Sequence, residues 1–407
     1  MDVIIERACG MDVHKDSITA CILTPEGKEI QTFSTKTVFL LKLLDWIKEH
    51  NCSHVAMEST SVYWKPIVNL LESEGIEFLV VNAQHIKAVP GRKTDVNDAE
   101  WIAKLLRHGL IKASYIPNRD QRELRELVRY RRSIIQERAR QQNRIQKVLE
   151  GANIKLGSVV SQIKGVSAME MLRAIADGED DPVKLASFAR RTLKKKKEEL
   201  ELALRGYISP HQRMMLKTII THIDFLTDQI EKLDNEIAER MSSYQDDVER
   251  LDSIPGVATR MAEQILAEIG TDVKNQFPSA AHMCSWAGLV PGQNESAGKR
   301  KSSKTKKGNK YLKSALQEAA HSVRGSKNYL GALYRRTAAR KGTKRAAIVV
   351  SHAILRICYY LLTRKEMYVD LGEDYFDKQR AQSIVRHSLR RLESLGYTVS
   401  LTETEAS

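Results

Sequence analysis

The segment that decides the fold lies near the N-terminus and reads ACGMDV at residues 8–13, followed by SITACIL at residues 17–23. Both runs are short, apolar and rich in strand-forming residues, and only a few residues separate them, so they predict two adjacent strands. PEGK at residues 25–28 has the composition of a turn, and Ile30–Thr35 then predicts a returning third strand. The chain therefore begins with three consecutive strands joined by tight connections.

Strand and helix patterns alternate after this hairpin. The predicted order is helix, strand, helix, strand, helix, at Phe39–Glu49, His54–Glu58, Val62–Glu74, Ile76–Val81 and Asp95–His108. Strands that alternate with helices are typical of an open sheet with helices on both faces. The sequence therefore predicts an α/β N-terminal domain.

The overall composition limits the classes of function. The chain has 407 residues, enough for two or three domains, and 42% are hydrophobic, which excludes wholesale disorder. The formal net charge is +14 and the pI is about 9.4, which favours a polyanionic partner, nucleic acid before membrane. A merely basic protein is the alternative on charge alone.

Cysteine usage and the apolar runs indicate where the protein acts. The five cysteines form no C-x-x-C pair, so we expect neither a disulfide framework nor a structural zinc site, and a reducing cytoplasm fits. The N-terminus has no signal-peptide pattern. The longest apolar run, near Ala346–Leu362, contains His352 and Arg356 and is expected to fall short of a membrane span. It predicts a buried amphipathic helix instead.

The middle of the chain, residues 118–250, has almost no strand pattern. Gln121–Leu149 predicts a long charged helix, and a second helical segment follows a break at Asp177–Pro182. That second segment carries apolar residues in steps of three and four, at Leu216, Ile219, Ile223, Leu226, Ile230, Leu233 and Ile237. This seam predicts a coiled coil, within one chain or between chains, while an ordinary helix packed on its own domain is the alternative.

A third region begins near Leu251 with a turn, SIPGV at residues 253–257, and a helix over Ala258–Ile269. No acid occurs from Ser296 to Gln317, whereas eight cations do. Helical patterns return at Lys344–Arg364 and Asp377–Leu395. We predict four domains: an α/β domain at 1–115, a helical coiled-coil region at 116–250, a basic domain at 251–345 and a C-terminal helical region at 346–407.

Four carboxylates stand where the N-terminal elements end or begin. Asp12 lies near the end of the first strand, Glu58 ends the fourth, and Asp95 and Asp98 share one face of a helix start. Four converging oxygen donors would suit Mg²⁺ or Mn²⁺, and two such ions can catalyse phosphodiester chemistry. Taken singly, Asp95 could cap its helix and Asp12 could be a turn residue.

The basic stretch offers a nucleophile and a nucleic-acid surface. Ser296 heads the stretch beside small residues, and Lys299 and Arg300 could neutralise phosphate oxygens. From the residues alone, an ordinary loop serine in a basic linker is the stronger interpretation. The turn at Gly256 resembles a helix-hairpin-helix, whose backbone can hold phosphate. The cations expected to bind nucleic acid without sequence preference are Lys299, Arg300, Lys301, Lys304, Lys306, Lys307 and Lys310.

The order of these motifs resembles the DEDD transposases of bacterial insertion sequences in the IS110 family, including its IS1111 subgroup. The resemblance covers about residues 1–340 and rests on GMDVHK at 10–15, MEST at 57–60, KTDVNDA at 93–99, IPGV at 254–257, WAGLVP at 286–291, ESAGK at 295–299 and KGNKYL at 307–312.

The resemblance implies a RuvC-like (RNase H-like) catalytic domain whose metal ligands are Asp12, Glu58, Asp95 and Asp98. It also implies a serine that becomes covalently linked to DNA; motif matching places it at Ser296, with Ser302 and Ser303 as second choices. A structured guide ("bridge") RNA and a homo-oligomer, dimer or tetramer, are implied as partners, with no membrane. The alternatives left open are a RuvC-like Holliday junction resolvase that only hydrolyses DNA, a non-catalytic nucleic-acid binder and a sugar-kinase-like nucleotide binder.

Overall fold

The computed structural model describes residues 3–59, 61–82, 86, 98–111, 114–292, 295–296, 298–300, 302 and 304–400. The side chains at 295, 296, 300, 382 and 384 are outside this description. The chain forms two compact units, Met1–Arg119 and Asp120–Ser407. The division into four domains stays a prediction.

The first unit is built on one mixed sheet of five strands. The strands are β1 (Ala8–Val13), β2 (Ser17–Leu23), β3 (Lys28–Ser34), β4 (His54–Glu58) and β5 (Glu77–Val81). Their order across the sheet is β3-β2-β1-β4-β5. The pairs β1–β2 and β2–β3 are antiparallel, whereas β1–β4 and β4–β5 are parallel. The predicted α/β class is confirmed, and three of the five strands have the predicted bounds.

Helices cover both faces of this sheet, as the alternating pattern predicts. They are α1 (Thr37–Glu49), α2 (Lys65–Ser73) and α3 (Asp98–Arg107). Successive residues of a strand point to opposite faces. Cys9, Met11 and Val13 accordingly lie in one core with the apolar faces of α1 and α2. Ala8 of β1 and Ala56 of β4 lie in a second core with α3.

The crossing of α3 over the central strand is unusually close at Gly10. A Cβ atom added there would lie 2.3 Å from both the carbonyl oxygen of Ala99 and the backbone nitrogen of Ala103. These are backbone atoms, so a side chain at position 10 would force the helix and the sheet apart. The start of α3 is therefore held directly against β1 at the level of Gly10.

The second unit begins with two long antiparallel helices, α4 (Arg119–Gly151) and α9 (Pro210–Met241). Residues of the seam predicted on α9 are buried: Leu226 and Ile230 pack on Ile134 of α4, and Leu216 and Ile223 join Ile145 in a larger core. The coiled coil is therefore intramolecular. The idea that this seam supplies a contact between subunits is wrong, because the partner helix belongs to the same chain.

Short helices between the long pair close the far end of this helical hairpin. They are α5 (Leu156–Val159), α6 (Val166–Ala176), α7 (Pro182–Ser187) and α8 (Lys197–Ala203), with a 3-10 helix at Arg191–Lys196. Their apolar faces share one core with the adjoining ends of α4 and α9. The N-terminus of α9 is fixed by a capping box between Ser209 and Gln212.

The rest of the second unit is helical apart from a small hairpin. The helices are α10 (Gln245–Asp252), α11 (Thr259–Ile269), α12 (Val273–Gln276), α13 (Ala280–Trp286), α14 (Lys310–Ser322), α15 (Tyr329–Lys341), α16 (Thr343–Arg364), α17 (Tyr375–Gln379) and α18 (Ala381–Ser394). The hairpin pairs β6 (Glu295–Ser296) with β7 (Lys299–Arg300). The single helix predicted over Asp377–Leu395 is instead two helices that meet at Arg380.

The apolar helix α16 is long and hydrophobic enough to cross a membrane by length and composition alone. The expectation that it falls short of a span is therefore wrong. However, 56% of its most apolar window is buried inside the protein. Ala346, Val350, Ile354 and Cys358 are fully enclosed, so α16 is a core helix, as the amphipathic pattern predicts.

Replacing Gly10 with alanine should destabilise the protein by about 1–3 kcal/mol, because the new methyl group meets backbone atoms that cannot move independently. The measurement is urea denaturation followed by circular dichroism. Gly325→Ala is the control, since a Cβ there meets nothing within 4 Å. Equal stability of the two variants would contradict the close crossing.

Candidate active site and nucleic-acid interface

Two of the predicted acids lie side by side at one edge of the sheet. The parallel pairing of β1 and β4 places Met11 opposite Met57, and the next residue on each strand is Asp12 and Glu58, respectively. Neighbouring strands are about 4.8 Å apart, and residues in register point to the same face. Both carboxylates therefore lie at the carboxyl ends of adjacent strands, on the face that α3 covers.

These carboxylates have little to balance their charge. The Asp12 side chain is 24% exposed and shares a hydrogen bond of 3.1 Å with His14 Nε2. Within the described part of the chain, neither Asp12 nor Glu58 forms an ion pair with a lysine or arginine. Two neighbouring carboxylates repel each other unless a cation lies between them. Their oxygen atoms are the donors that a hard divalent cation prefers.

The remaining predicted acids belong to the segment that leads into α3. Asp98 is the first residue of α3 and is exposed. Because Ala99 lies on Gly10 and Leu105 shares a core with Ala8, α3 runs antiparallel to β1, and its N-terminus lies towards the carboxyl ends of β1 and β4. Asp95 lies outside the described residues. Among those that are described, no three His, Cys, Asp or Glu side chains form a group able to hold a metal.

A further acid of α3, Glu100, is engaged elsewhere. Its carboxylate accepts hydrogen bonds from Lys104 at 2.6 Å and from Lys28 at 3.0 Å. Those two bonds lower the pKa of Glu100 below its ordinary value, with Lys104 contributing most. Glu100 therefore fastens α3 to the outer strand β3, and we do not count it among the candidate metal ligands.

Ser296 lies next to the turn of a β-hairpin. Ser296 pairs with Lys299 across the two strands. Gly298, in the turn between the strands, has the left-handed backbone conformation, with φ +72°. The hairpin continues below this pair, where the Gly292 N–H donates to the Lys304 carbonyl at 2.9 Å. Ser302 Oγ accepts from the Lys304 N–H at 3.2 Å. Lys301 and Ser303 lie outside the described residues.

At the base of this hairpin, the motif WAGLVP at 286–291 contacts the motif KGNKYL at 307–312. A Cβ atom on Gly308 would lie 2.4 Å from the Gly288 nitrogen, so only glycine fits at this contact. Lys313 Nζ donates to the Gly288 carbonyl at 3.1 Å and to Thr305 Oγ1 at 2.7 Å. Burial lowers the pKa of Lys313. Lys313 thus ties both ends of the hairpin to α14, which is a positioning role that the sequence did not indicate.

A buried charge network fixes α14 to the long helix α4. Glu268 of α11, whose side chain is 1% exposed, accepts two hydrogen bonds of 2.7 Å from Arg129. Asn309 Nδ2 donates to the same carboxylate at 2.6 Å, and Asn309 Oδ1 caps α14. The Arg129 guanidinium also lies 4.2 Å from the centre of the Tyr311 ring. The sequence analysis did not predict this network. The available signal was Glu268, an acid within the apolar run LAEI at 266–269.

The other predicted nucleic-acid ligands are mostly at the surface. The side chains of Lys299, Lys304, Lys306, Lys307 and Lys310 are exposed. Gly256 lies in the turn between α10 and α11 with φ +85°, and a Cβ there would lie 2.6 Å from Ser322 Oγ. Tyr334 is 1% exposed and shares a hydrogen bond with His321, so it belongs to the core.

Comparison with known proteins gives two family matches. The family model for the DEDD transposases of the IS110 type matches residues 9–154. A second, for the transposase IS116/IS110/IS902 family, matches residues 248–335. Together they span more than half of the chain. The protein is an enzyme of DNA recombination, a DNA transposase. It belongs to the IS110 family of insertion-sequence transposases.

Relatives support this membership at low identity. The chain is 23% identical over 375 residues to the transposase for insertion sequence element IS1111A of Coxiella burnetii, covering 89% of this chain and 91% of that protein. It is 31% identical over 154 residues to the IS1533 transposase of Leptospira borgpetersenii, covering 36% of this chain and 44% of that protein. It is 23% identical over 325 residues to the pilin gene-inverting protein of Moraxella lacunata, covering 75% of this chain and 80% of that protein.

Lys313→Met should loosen the serine hairpin without unfolding the domain. Loss of two hydrogen bonds from a charged donor should raise opening of the hairpin about tenfold or more. The measurement is the rate of tryptic cleavage at Lys304, Lys306 and Lys307, read by mass spectrometry. Lys310→Met is the control, because Lys310 is exposed on the same helix. Unchanged cleavage in Lys313→Met would show that the clamp does not depend on this side chain.

Proposed function

We propose that the protein excises and integrates an insertion sequence by DNA strand exchange, through phosphoryl transfer on DNA. The observation that carries the proposal is the pair Asp12 and Glu58, in register on adjacent parallel strands without a lysine or arginine partner among the described residues, in a chain of a transposase family. Such a pair is the core of a cation site for phosphodiester chemistry. The strand order β3-β2-β1-β4-β5 supports an RNase H-like, RuvC-like assignment of this domain.

Asp12, Glu58, Asp95 and Asp98 would hold the Mg²⁺ or Mn²⁺ ions. The donor set fits, since Asp12 and Glu58 offer oxygen atoms from one edge and the α3 N-terminus, where Asp98 lies, is directed to that edge. Bound there, the ions would stabilise charge on the attacking and leaving oxygens. His14 holds Asp12 by a hydrogen bond and would orient that carboxylate.

Ser296 would be the nucleophile of the second unit. Its Oγ would form a bond to phosphorus, lose its proton, and release a sugar hydroxyl of the cut strand as the P–O bond breaks. A hydroxyl from another strand would then attack the serine phosphoester and free Ser296, which conserves the phosphodiester bond energy. Lys299 and Arg300 would neutralise the non-bridging oxygens. The support is the position of Ser296 beside the turn of a clamped hairpin.

The basic surface around that hairpin would bind the sugar–phosphate backbone. The proposed ligands are Gly256, Lys299, Arg300, Lys301, Lys304, Lys306, Lys307 and Lys310. The exposed positions of Lys299, Lys304, Lys306, Lys307 and Lys310 suit contacts made by counterion release rather than base readout. Base pairing with a structured noncoding RNA would supply sequence specificity. A cytoplasmic dimer or tetramer would bring the serine of one subunit to the acids of another, with the subunit contact outside the internal α4–α9 seam.

Asp12→Asn or Glu58→Gln should abolish strand cleavage, by about a hundredfold or more, because metal stabilisation is worth several kcal/mol. Nucleic-acid binding should persist. Cleavage of labelled DNA is measured across a Mg²⁺ and Mn²⁺ titration. Asp45→Asn, which removes the same charge from an exposed position on α1, is the control. Full cleavage in excess EDTA would refute the metal site.

Ser296→Ala should lose both recombination and the covalent protein–DNA adduct, while it folds and binds DNA as before. Denaturing electrophoresis of reactions on labelled DNA detects the adduct as protein-linked label. Ser302→Ala and Ser303→Ala are matched controls that remove a neighbouring hydroxyl. An adduct that persists in Ser296→Ala and disappears in a control would move the nucleophile to that residue.

The same gel separates the recombinase from the junction resolvase. Hydrolysis by water at the acid site needs no serine and leaves no protein on the DNA. Active preparations that cleave DNA without any adduct would therefore favour a RuvC-like hydrolase.

A further inference from the structure

The outer face of α16 carries an arginine–tyrosine–arginine row. Arg356, Tyr360 and Arg364 are spaced four residues apart, so they lie above one another on one side of the helix. Tyr360 is 39% exposed, and the Arg364 guanidinium lies 4.8 Å from the centre of its ring. Within the described part of the chain, neither arginine forms an ion pair. Both guanidinium groups are therefore available to a ligand, and the planar Arg364 guanidinium is held against the Tyr360 ring.

This row forms one wall of a groove of about 380 Å³. The groove is also lined by the segment after α16, with Tyr368 and Leu371, and by Tyr329 at the start of α15. The segment is fastened, since the Tyr368 N–H donates to Ser253 Oγ at 3.0 Å and its hydroxyl donates to Asp370 at 3.0 Å. These hydrogen bonds hold the segment in place along the groove. The volume of the groove lies within the range typical of ligand pockets, about 300–1,000 Å³.

The charge around the groove favours a polyanion. From Ala319 to Lys365 the sequence contains no Asp or Glu but eleven Lys or Arg. Glu366 is the acidic residue in the groove lining, and Asp370 beside it accepts hydrogen bonds from the Tyr368 hydroxyl and the Tyr329 N–H. Aromatic and apolar walls flanked by arginines suit the faces of unpaired bases, whereas a duplex keeps those faces stacked internally.

We propose that the α16 groove, defined by Tyr329, Arg356, Tyr360, Arg364, Tyr368 and Leu371, binds an unpaired strand of nucleic acid. A base stacks on the Arg364 guanidinium, whose other face rests on Tyr360, and Arg356 neutralises a neighbouring phosphate. The groove thereby gives the C-terminal region a task during strand exchange, when strands separate. The proposal takes DNA recombination as its context and depends on neither Ser296 nor the metal site.

A second copy of this chain is the competing occupant, through the exposed apolar residues of α18. Val385 and Leu392 lie on that helix, but so do Arg386, Arg390 and Arg391. A basic helix placed beside Arg356 and Arg364 would be repelled. Charge therefore favours the nucleic-acid strand over the helix.

Fluorescence anisotropy with full-length protein tests the proposal. The probes are labelled thymidine and uridine oligonucleotides of equal length and a blunt DNA duplex, and every variant carries Ser296→Ala so that no covalent chemistry contributes. Tyr360→Ala should weaken binding of the thymidine or the uridine strand about tenfold. Binding of the duplex should be unchanged. The two single strands distinguish DNA from RNA as the ligand.

Matched variants separate stacking from charge and from folding. Tyr360→Phe keeps the ring and should bind like the parent, and Arg356→Gln, which removes the proposed phosphate contact, should reduce the slope of log K against log salt by about 0.7. Arg345→Gln removes one charge from α16 outside the groove and should have a smaller effect on single strands. Thermal unfolding verifies that each variant is folded.

Two results would overturn the proposal. One is a loss of specificity: Tyr360→Ala and Arg345→Gln weaken single-strand binding equally, or Tyr360→Ala weakens binding of the single strands and of the duplex equally. The other is a change of oligomeric state in Tyr360→Ala, read by light scattering, with single-strand affinity unchanged, which would assign the groove to a second copy. An absent serine adduct in the active protein would refute the serine mechanism and leave these binding results intact.

Discussion

The parallel, in-register pairing of β1 with β4 is the contact on which the first unit depends. It aligns Ala8 with His54 and Met11 with Met57, and so places Asp12 beside Glu58. The same strand presents Gly10 to α3, whose backbone comes too close for any side chain. A shift of one residue in this register would place the two carboxylates on opposite faces of the sheet. The backbone hydrogen bonds between β1 and β4 therefore determine the positions of the Asp12 and Glu58 carboxylates.

The second unit is organised by buried polar contacts rather than by a sheet. Glu268 joins α4, α11 and the start of α14 through Arg129 and Asn309. Removing one partner from such a network leaves the others charged and buried, which is costly. Lys313 extends this order from α14 to the base of the serine hairpin. The position of Ser296 thus depends on residues distributed from Arg129 to Lys313.

Local patterns in the sequence predicted the regular elements well. Strands β1, β2 and β4 have the predicted bounds, and the spacing on α9 predicted its buried seam, because both signals come from residues near one another in the chain. The pair Asp12 and Glu58 could also be predicted, since each ends an apolar strand. The Gly288–Gly308 contact and the network at Glu268 could not, because their partners are 20 to about 140 residues apart and leave no periodic signal.

The length of the α4–α9 hairpin separates the core at its far end from the Glu268 network. At a rise of about 1.5 Å per residue, its helices of 33 and 32 residues extend nearly 50 Å. The two family matches stop at residue 154 and resume at 248, so the stretch between them comprises the cap helices and the returning helix. Among the described residues, the core at the distal end contains none of the residues of the Glu268 network. A change of length confined to the distal end would therefore remove none of the contacts that Glu268 and Lys313 make.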